Sequence, residues 1–541
     1  MITNHINKFL AAGLMSCAIG AALTSCADWD DHYDGADVAA GSDQTLWQQM
    51  LANPQLSDFR EVLEQTKVFR MHKKTAVSYA DLLSGGQAFT VVAPVNGTFN
   101  KDSLLRLVET NQGDSAVEAF FVKNHLSRTV SSLSQESKKM LMLNSKFVEM
   151  ENHAIEGVSV SQANTHASNG VLHVVSNPLP YEYSLFESLC ERPGFQLIGN
   201  ALRQYNEDWF DGDASVSIGI VEGVPVYVDS VVHERNRILD YLGYLGSEDS
   251  TYWAVVPTEA GWRKAWQEAE QYFIYDAKVL KRDSLQHRGT TCALLEDAIF
   301  NMTDQKSTDD SLVSVHYNRV KPQFHVFYKP FAQGGILDGA TPIKCSNGML
   351  YQTDEWAFRP EQTYFKPLWS EAEQEALITT FKTCAYKAQE AHGDSISEGR
   401  YLDIMPTDAA ANWEMTFRVN NTLSGTYDIC AIVLPKSVAN QVNPDVKTNK
   451  FKATINYVDE NGNAKTFDCG GKQFQNNPLK VDTIVLAEAF HFPTCNYGQN
   501  DIKASVRIQC SITARETSRY SREMLLDCIY LRPHTEKSEE Q

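Results

Sequence analysis

Three sets of residues could carry chemistry, and each also has a plainer reading. Glu296-Asp297 and Asp309-Asp310 are adjacent carboxylates. A glycosidase needs two carboxyl groups roughly 5–10 Å apart across a sugar. A chain with 68 Asp and Glu offers many such pairs, so none is singled out as catalytic. His125, His153, His166 and His173 could meet a metal through imidazole nitrogen, but their spacing matches no ligand set. Hydrogen-bonded or exposed imidazoles are the plainer expectation. Trp413, Phe490 and Phe492 could offer rings to the apolar face of a sugar, against which stands ordinary core packing. Phe490-His491-Phe492-Pro493 is expected on a loop beyond a strand. No nucleophile elbow, P-loop, HExxH or GxGxxG occurs. The expectation is a protein that is not an enzyme, with no metal and no cofactor.

The N-terminus specifies a covalent event. Lys8 is followed by an apolar stretch from Phe9 to Leu23, ending in Leu23-Thr24-Ser25-Cys26. A charged start, a short apolar segment and small residues before a cut are the marks of a secretory signal. At about 15 residues the segment falls short of the ~20 that span a bilayer. Leu23 to Cys26 resembles a bacterial lipobox, which implies that Cys26 is acylated and becomes the mature first residue. The next stretch, through Asp37, carries five Asp and no Lys or Arg. It reads as a solvated tether. It also resembles the acidic export signal of surface-exposed lipoproteins in Bacteroidetes. These resemblances imply an outer-membrane protein, lipid-anchored through Cys26 and facing the cell exterior. With 48 Lys and Arg against 68 acids, the net charge of -20 gives no footprint for nucleic acid. Of 11 Cys, nine remain beyond Cys17 and Cys26. The odd number argues against a full disulfide framework. One or two bridges stay open among Cys430, Cys469, Cys495, Cys510 and Cys528.

The elements that would position any site are organised around Phe89 to Phe99. An apolar strand pattern runs into Pro94 and then into Asn96-Gly97, a turn signal. Thr90 to Phe99 is similar to the "TVFAPTNEAF" motif of fasciclin domains. Asn169-Gly170-Val171-Leu172-His173-Val174-Val175 is similar to their closing "NGVVHVID" strand. Between them, Asn124-His125 lies where that family has Tyr-His; the His matches and the Tyr does not. The resemblance runs from Thr45 to Tyr181, and implies a fold with Pro94, Asn96, Phe99, His125, Asn169 and Gly170 as structural motif positions. A second copy follows. Leu185-Phe186 and Pro193 repeat Leu46-Trp47 and Pro54, Pro257 repeats Pro94, Trp262 repeats Phe99, and Asn347-Gly348 repeats Asn169-Gly170. Glu259 stands where the first copy has Asn96, and inserts occur at 205–237 and 277–291. Conservation of packing residues between the copies, with drift in the polar turn, predicts that Pro94, Phe99, Pro257 and Trp262 are buried.

After residue 399 the texture becomes short strand patterns separated by turns such as Asn461-Gly462 and Gly470-Gly471, which argues for a β-sandwich. The ending Leu525 to Pro533 resembles the last strand of galactose-binding-like jelly rolls. The fold class expected is α+β: two tandem fasciclin-like domains, the second degenerate and carrying insertions, then an all-β sandwich. The divisions are 1–25 signal peptide, 26–43 acidic tether, 44–182 and 183–370 fasciclin-like domains, 371–398 linker, 399–535 sandwich and 536–541 tail. The expected function is adhesion or ligand and partner binding at the cell envelope. The alternative is glycan capture beside an outer-membrane polysaccharide-utilisation system, with a hydrolase site in the second-domain inserts as a third reading.

Overall fold

The computed structural model describes residues 43–534, apart from 71–72, 111, 222–223, 305–306, 309, 319–322, 392–395, 440–441, 443–444 and 472. For 211–221, 224–234, 318 and 323 it describes the backbone alone. Cys26, the signal segment and the charged tail therefore lie outside the described residues. Among those described, no helix is long and apolar enough to cross a membrane. The chain divides into two compact units, at Glu182/Tyr183.

In the first unit, strand Phe89–Pro94 lies parallel to Gly170–Val175, the two being the second and third strands of a seven-stranded sheet. Alternate side chains of this pair leave on opposite faces. Val91, Ala93, Leu172 and Val174 join Leu46, Met50, Phe59 and Leu63 of the helical layer. Val92 and Val175 meet Val148, Met150 and Ile155 of the flanking strands. The helices begin where the residue types dictate. Thr45 caps Leu46–Ala52 and Ser78 caps Tyr79–Ser84, each through a reciprocal capping box. Further along, Val117 is buried but Phe120 is exposed, where the helix loosens into a π turn over Glu118–Val122.

The second unit opens by repeating this plan. Strand Tyr252–Pro257 lies parallel to Gly348–Thr353 within a six-stranded sheet. Ser184 caps Leu185–Glu191 as Thr45 caps its counterpart. The two expected inserts become a long two-stranded ribbon, Asn206–Val221 with Val224–Asn236, and a helix, Arg282–Leu295.

The same unit continues into a sandwich of two antiparallel-paired sheets. One runs through Cys384–Glu390, Arg400–Pro406, Met524–Pro533, Gly425–Leu434 and Asp482–Phe492, with Leu368–Glu371 also paired to Met524–Pro533. The other runs through Ile378–Lys382, Glu414–Arg418, Ser505–Cys510, Thr448–Val458 and Ala464–Asp468. The expected linker at 371–398 is corrected: strands Ile378–Lys382 and Cys384–Glu390 belong to the sandwich. Their many polar side chains mask a strand pattern, because they sit at sheet edges, where one row faces water.

Candidate functional site

The motif residues prove to be joints. Asn169 Oδ1 accepts from the Leu46 N–H at 2.7 Å, and its Nδ2 donates to the Leu83 and Gly85 carbonyls at 2.9 and 2.7 Å. Asn347 repeats this in the second copy. Its Oδ1 accepts from the Leu185 N–H at 2.8 Å, and its Nδ2 donates to the Leu245 and Ser247 carbonyls, both at 2.9 Å. One amide thus ties a helix start to the loop before the central strand. The following Gly170 and Gly348 have φ of 141° and 150°. A Cβ there would lie 1.8 Å from the Phe89 carbonyl oxygen or 1.7 Å from that of Tyr252. Only glycine permits that approach.

Asn96 also serves structure: its Oδ1 accepts from the Asp58 N–H, and its Nδ2 donates to the Pro54 carbonyl and Ser57 Oγ, all at 2.9 Å. Pro94, Pro257 and Trp262 are buried as expected, but Phe99 is only half-buried, lying over Phe121 with ring centroids 5.0 Å apart. His125 is fully buried. The Leu179 N–H donates to its Nε2 at 2.9 Å, so Nδ1 carries the proton and donates to the Phe121 carbonyl at 2.8 Å. Burial lowers its pKa to about 4, so the ring is neutral at pH 7.

Of the three rings offered as an aromatic platform in the sandwich, Trp413 and Phe490 do not line the cleft described below, while Phe492 does. Trp413, Phe490 and Phe492 are 1%, 8% and 2% exposed and all belong to the interior. Phe490 and Phe492 end the strand Asp482–Phe492 instead of standing on a loop. A bulge in its pairing with Gly425–Leu434 lies between them and the preceding residues, and both rings turn inward. Trp413 Nε1 donates to the Arg522 carbonyl at 2.6 Å. The nine described cysteines are buried, and no disulfide joins them. Burial raises several thiol pKa values, to about 12 for Cys495, and leaves them inert.

A different site lies where the second module meets the sandwich. Residues after the helix Glu259–Ala269 are stitched to sandwich loops along their length. The Ser424 N–H donates to the Tyr272 carbonyl at 2.9 Å, Cys495 N–H to Ile274 at 2.6 Å, and Ala277 N–H to Glu460 at 2.9 Å. Tyr275 Oη donates to the Tyr497 carbonyl at 2.9 Å and Lys278 Nζ to that of Gly462 at 2.6 Å. Phe273 and Tyr275 enter the sandwich core. Between this segment and the sandwich lies a cleft of about 360 Å³. That is within the range of small-ligand sites. Asp276, Lys278 and Leu280 form one wall, and Thr422, Tyr457 and Asn496 are among the residues of the other. Asp276 and Asp501 are balanced by Lys278 and Lys503, so the lining carries no net charge. Thr422 is 1% exposed, and its Oγ1 has no hydrogen-bond partner among the described residues. The sequence marked only the insert at 277 and the Asn461-Gly462 turn. Nothing in the spacing of Asp276, Thr422 and Tyr457 announced that they converge.

A second polar group lies on the outer side of the sandwich. Donor atoms of Glu371, Asp527 and Cys528 fall within 4.8 Å of one another, all buried. Ser397 supports them, its N–H donating to Asp527 and its Oγ to Glu371 Oε1. Burial, with Glu371 and Glu373 adding repulsion, raises the Asp527 pKa to about 7. The carboxylates are hard oxygen donors of the kind that suit Ca²⁺ or Mg²⁺, and the thiol is not.

Residues 54–180 match the fasciclin domain family. That span holds the first module from its first proline to its closing strand. Among solved structures, this chain is similar to the FAS1 domain pair of the insect cell adhesion molecule Fasciclin I, at 10% identity over 51% of this chain and 90% of that one, with a TM-score of 0.19. It is also similar to a xylan-binding domain of carbohydrate-binding family 22, at 9% identity over 31% of this chain and 94% of that one, TM-score 0.20. A family 11 carbohydrate-binding module from Clostridium thermocellum, solved with a β-1,3-1,4-mixed-linked tetrasaccharide, covers 31% of this chain and 97% of its own at 10% identity, TM-score 0.18. At these scores none bears on what this chain binds. No curated protein matches. The fold class is α+β, with two fasciclin-like modules followed by a β-sandwich.

Proposed function

We propose that this is a non-catalytic binding protein of the cell envelope, held by a lipid on Cys26, whose second unit binds a neutral glycan in the cleft beside Thr422. The observation that carries this reading is the cleft itself. Its lining has balanced charge, the rings of Tyr457 and Phe492, neutral hydroxyl and amide groups, and a buried Thr422 Oγ1 without a partner among the described residues. An unpaired buried hydroxyl is unfavourable unless a ligand completes it. A polyhydroxylated, uncharged ligand supplies such groups, while the ring of Tyr457 offers an apolar face. The fasciclin-like modules serve as scaffold and spacer. Adhesion to a protein partner through those modules is the competing reading, and the same test separates the two.

The test is a glycan array with the full chain, followed by calorimetry on the best glycan. Thr422→Val keeps the shape of the side chain and removes the unpartnered hydroxyl, so the free protein should become more stable while affinity falls ~5-fold. Tyr457→Ala should weaken binding further. Absence of any glycan hit, or equal binding by both variants, overturns the reading and leaves protein adhesion. The envelope placement is tested separately. Labelled palmitate should enter the wild-type chain and not Cys26→Ala, and protease shaving of intact cells should cleave it.

A further inference from the structure

The register of the second sandwich sheet builds a surface of its own. Along Glu414–Arg418, Ser505–Cys510 and Thr448–Val458, side chains alternate between the two faces of the sheet. Met415, Phe417, Val506, Ile508, Ala453 and Ile455 belong to the core, so the residues between them face outward. Strand pairing aligns these outward residues in rows. Lys382, Glu414, Gln509 and Lys452 form the first row. Thr380, Thr416, Arg507, Thr454 and Asp468 form the second. Arg418, Ser505, Asn456 and Thr466 form the third. Arg418, Arg507 and Lys452 therefore lie on one diagonal over three adjacent strands, in steps of about 7–8 Å. Lys382 is paired with Glu414 at 2.6 Å, but none of the three diagonal cations has an ion pair among the described residues. Arg507 Nη2 donates to Thr454 Oγ1 at 3.3 Å. The other carboxylate of the face, Asp468, stands two strands from Arg507, about 10 Å away.

We propose that this diagonal binds an extended polysaccharide whose sugars carry carboxylate groups. Four cations against two carboxylates leave the rows with two positive charges, on a chain whose net charge is -20. Cations spaced along a line suit a polymer that repeats its charge. A guanidinium meets a carboxylate through two parallel N–H···O bonds, which adds geometry to the attraction. The positions beside the diagonal are hydroxyls and amides, including Thr416, Ser505, Gln509 and Asn456, and these can bond to sugar hydroxyls. No position in the three rows is aromatic. A neutral glycan gains much of its hold from a ring face, and single-stranded nucleic acid from stacking of its bases. Charge and hydrogen bonds alone are what this face offers, and an anionic polysaccharide is the polymer that uses both. Its side chains stand on paired strands, so little backbone ordering is lost on binding. The face does not depend on the cleft beside Thr422.

The experiment is calorimetric titration of the full chain with polygalacturonate, a linear carboxylated polysaccharide, at low salt. Its methyl ester, with the same backbone and no charge, and single-stranded DNA are titrated in parallel. Polygalacturonate should bind more tightly than either, and should weaken as salt is raised. Arg507→Gln and Arg418→Gln should each weaken binding ~10-fold, and Lys452→Gln ~3-fold, through loss of a charge-assisted bond. Lys344→Gln removes one exposed charge from the strand Thr341–Cys345 of the second module and should change nothing. Thr422→Val should bind polygalacturonate as wild type does, which separates this face from the cleft. Should an arginine variant fail to fold, Lys452→Gln, exposed at the surface, still decides. Absence of polygalacturonate binding overturns the proposal. So does equal binding of the ester, tighter binding of DNA, or a loss with Lys344→Gln equal to that with Lys452→Gln.

Discussion

Replacing Asp527 by Asn should stabilise the sandwich at neutral pH, against the usual expectation for a buried, hydrogen-bonded aspartate. Asp527 is 1% exposed, and Glu371 and Glu373 raise its pKa further. Its pKa moves from 3.8 to about 7 on folding. The folded state therefore holds the proton more tightly. Its contribution is full below pH 3.8 and is lost as pH rises through 7. Asn copies the protonated acid at every pH, and its Oδ1 can keep the bond from the Ser397 N–H. The advantage of Asp527→Asn over wild type should be about 0.5 kcal/mol at pH 4, about 3 at pH 6 and about 4 at pH 8. Unfolding of a chain with two compact units is not a single transition. The assay is native-state hydrogen exchange, read on peptides covering Met524–Pro533. A variant less stable than wild type at pH 8 would falsify the argument. So would a difference that does not change between pH 4 and pH 8.

Asn169→Ala and Asn347→Ala each strand one N–H and two carbonyls, and each should cost its own module about 3 kcal/mol, measured by exchange in that module. Unequal effects would show that the two joints are not equivalent. Gly348→Ala places a Cβ against the Tyr252 carbonyl, so the second module should become protease-sensitive while the first stays resistant. His125 should remain neutral until about pH 4, because its folded pKa is depressed from 6.5. Stability present above pH 6.5 is then lost as pH falls through 4, by about 3 kcal/mol. A ring titration midpoint near 6.5 by NMR would contradict this. Trp413→Ala and Phe490→Ala should each destabilise the sandwich by about 3–5 kcal/mol in thermal unfolding, as core residues do. Ligand affinity of the folded fraction should not change.

How much of this was legible depended on the range of the interaction. The duplicated module could be read because its signature is local. Pro94 and Pro257 end strands, and Gly170 and Gly348 hold backbone that other residues cannot adopt. Each constraint acts within a few residues and leaves a fixed residue type behind. The turns of the sandwich were readable for the same reason. The lipidation proposed for Cys26 likewise rests on adjacent residues. Burial of Phe490 and Phe492 was not readable, since an alternating aromatic pair looks the same whether its face turns to solvent or to a second sheet. Strands Ile378–Lys382 and Cys384–Glu390 were hidden because an edge strand has little apolar pattern to show.

The candidate sites belong wholly to tertiary structure. Arg418 falls on one diagonal with Arg507 and Lys452, and Asp276 shares a cleft with Thr422 and Tyr457. Asp527 gathers Glu371 from the opening strand of the sandwich. None of these residues is unusual for its neighbours in sequence. Their chemistry comes from burial and from charges brought close by folding. Those two quantities are set by packing across the whole unit, so sequence alone determined the module, and the tertiary fold decided which side chains share a cleft.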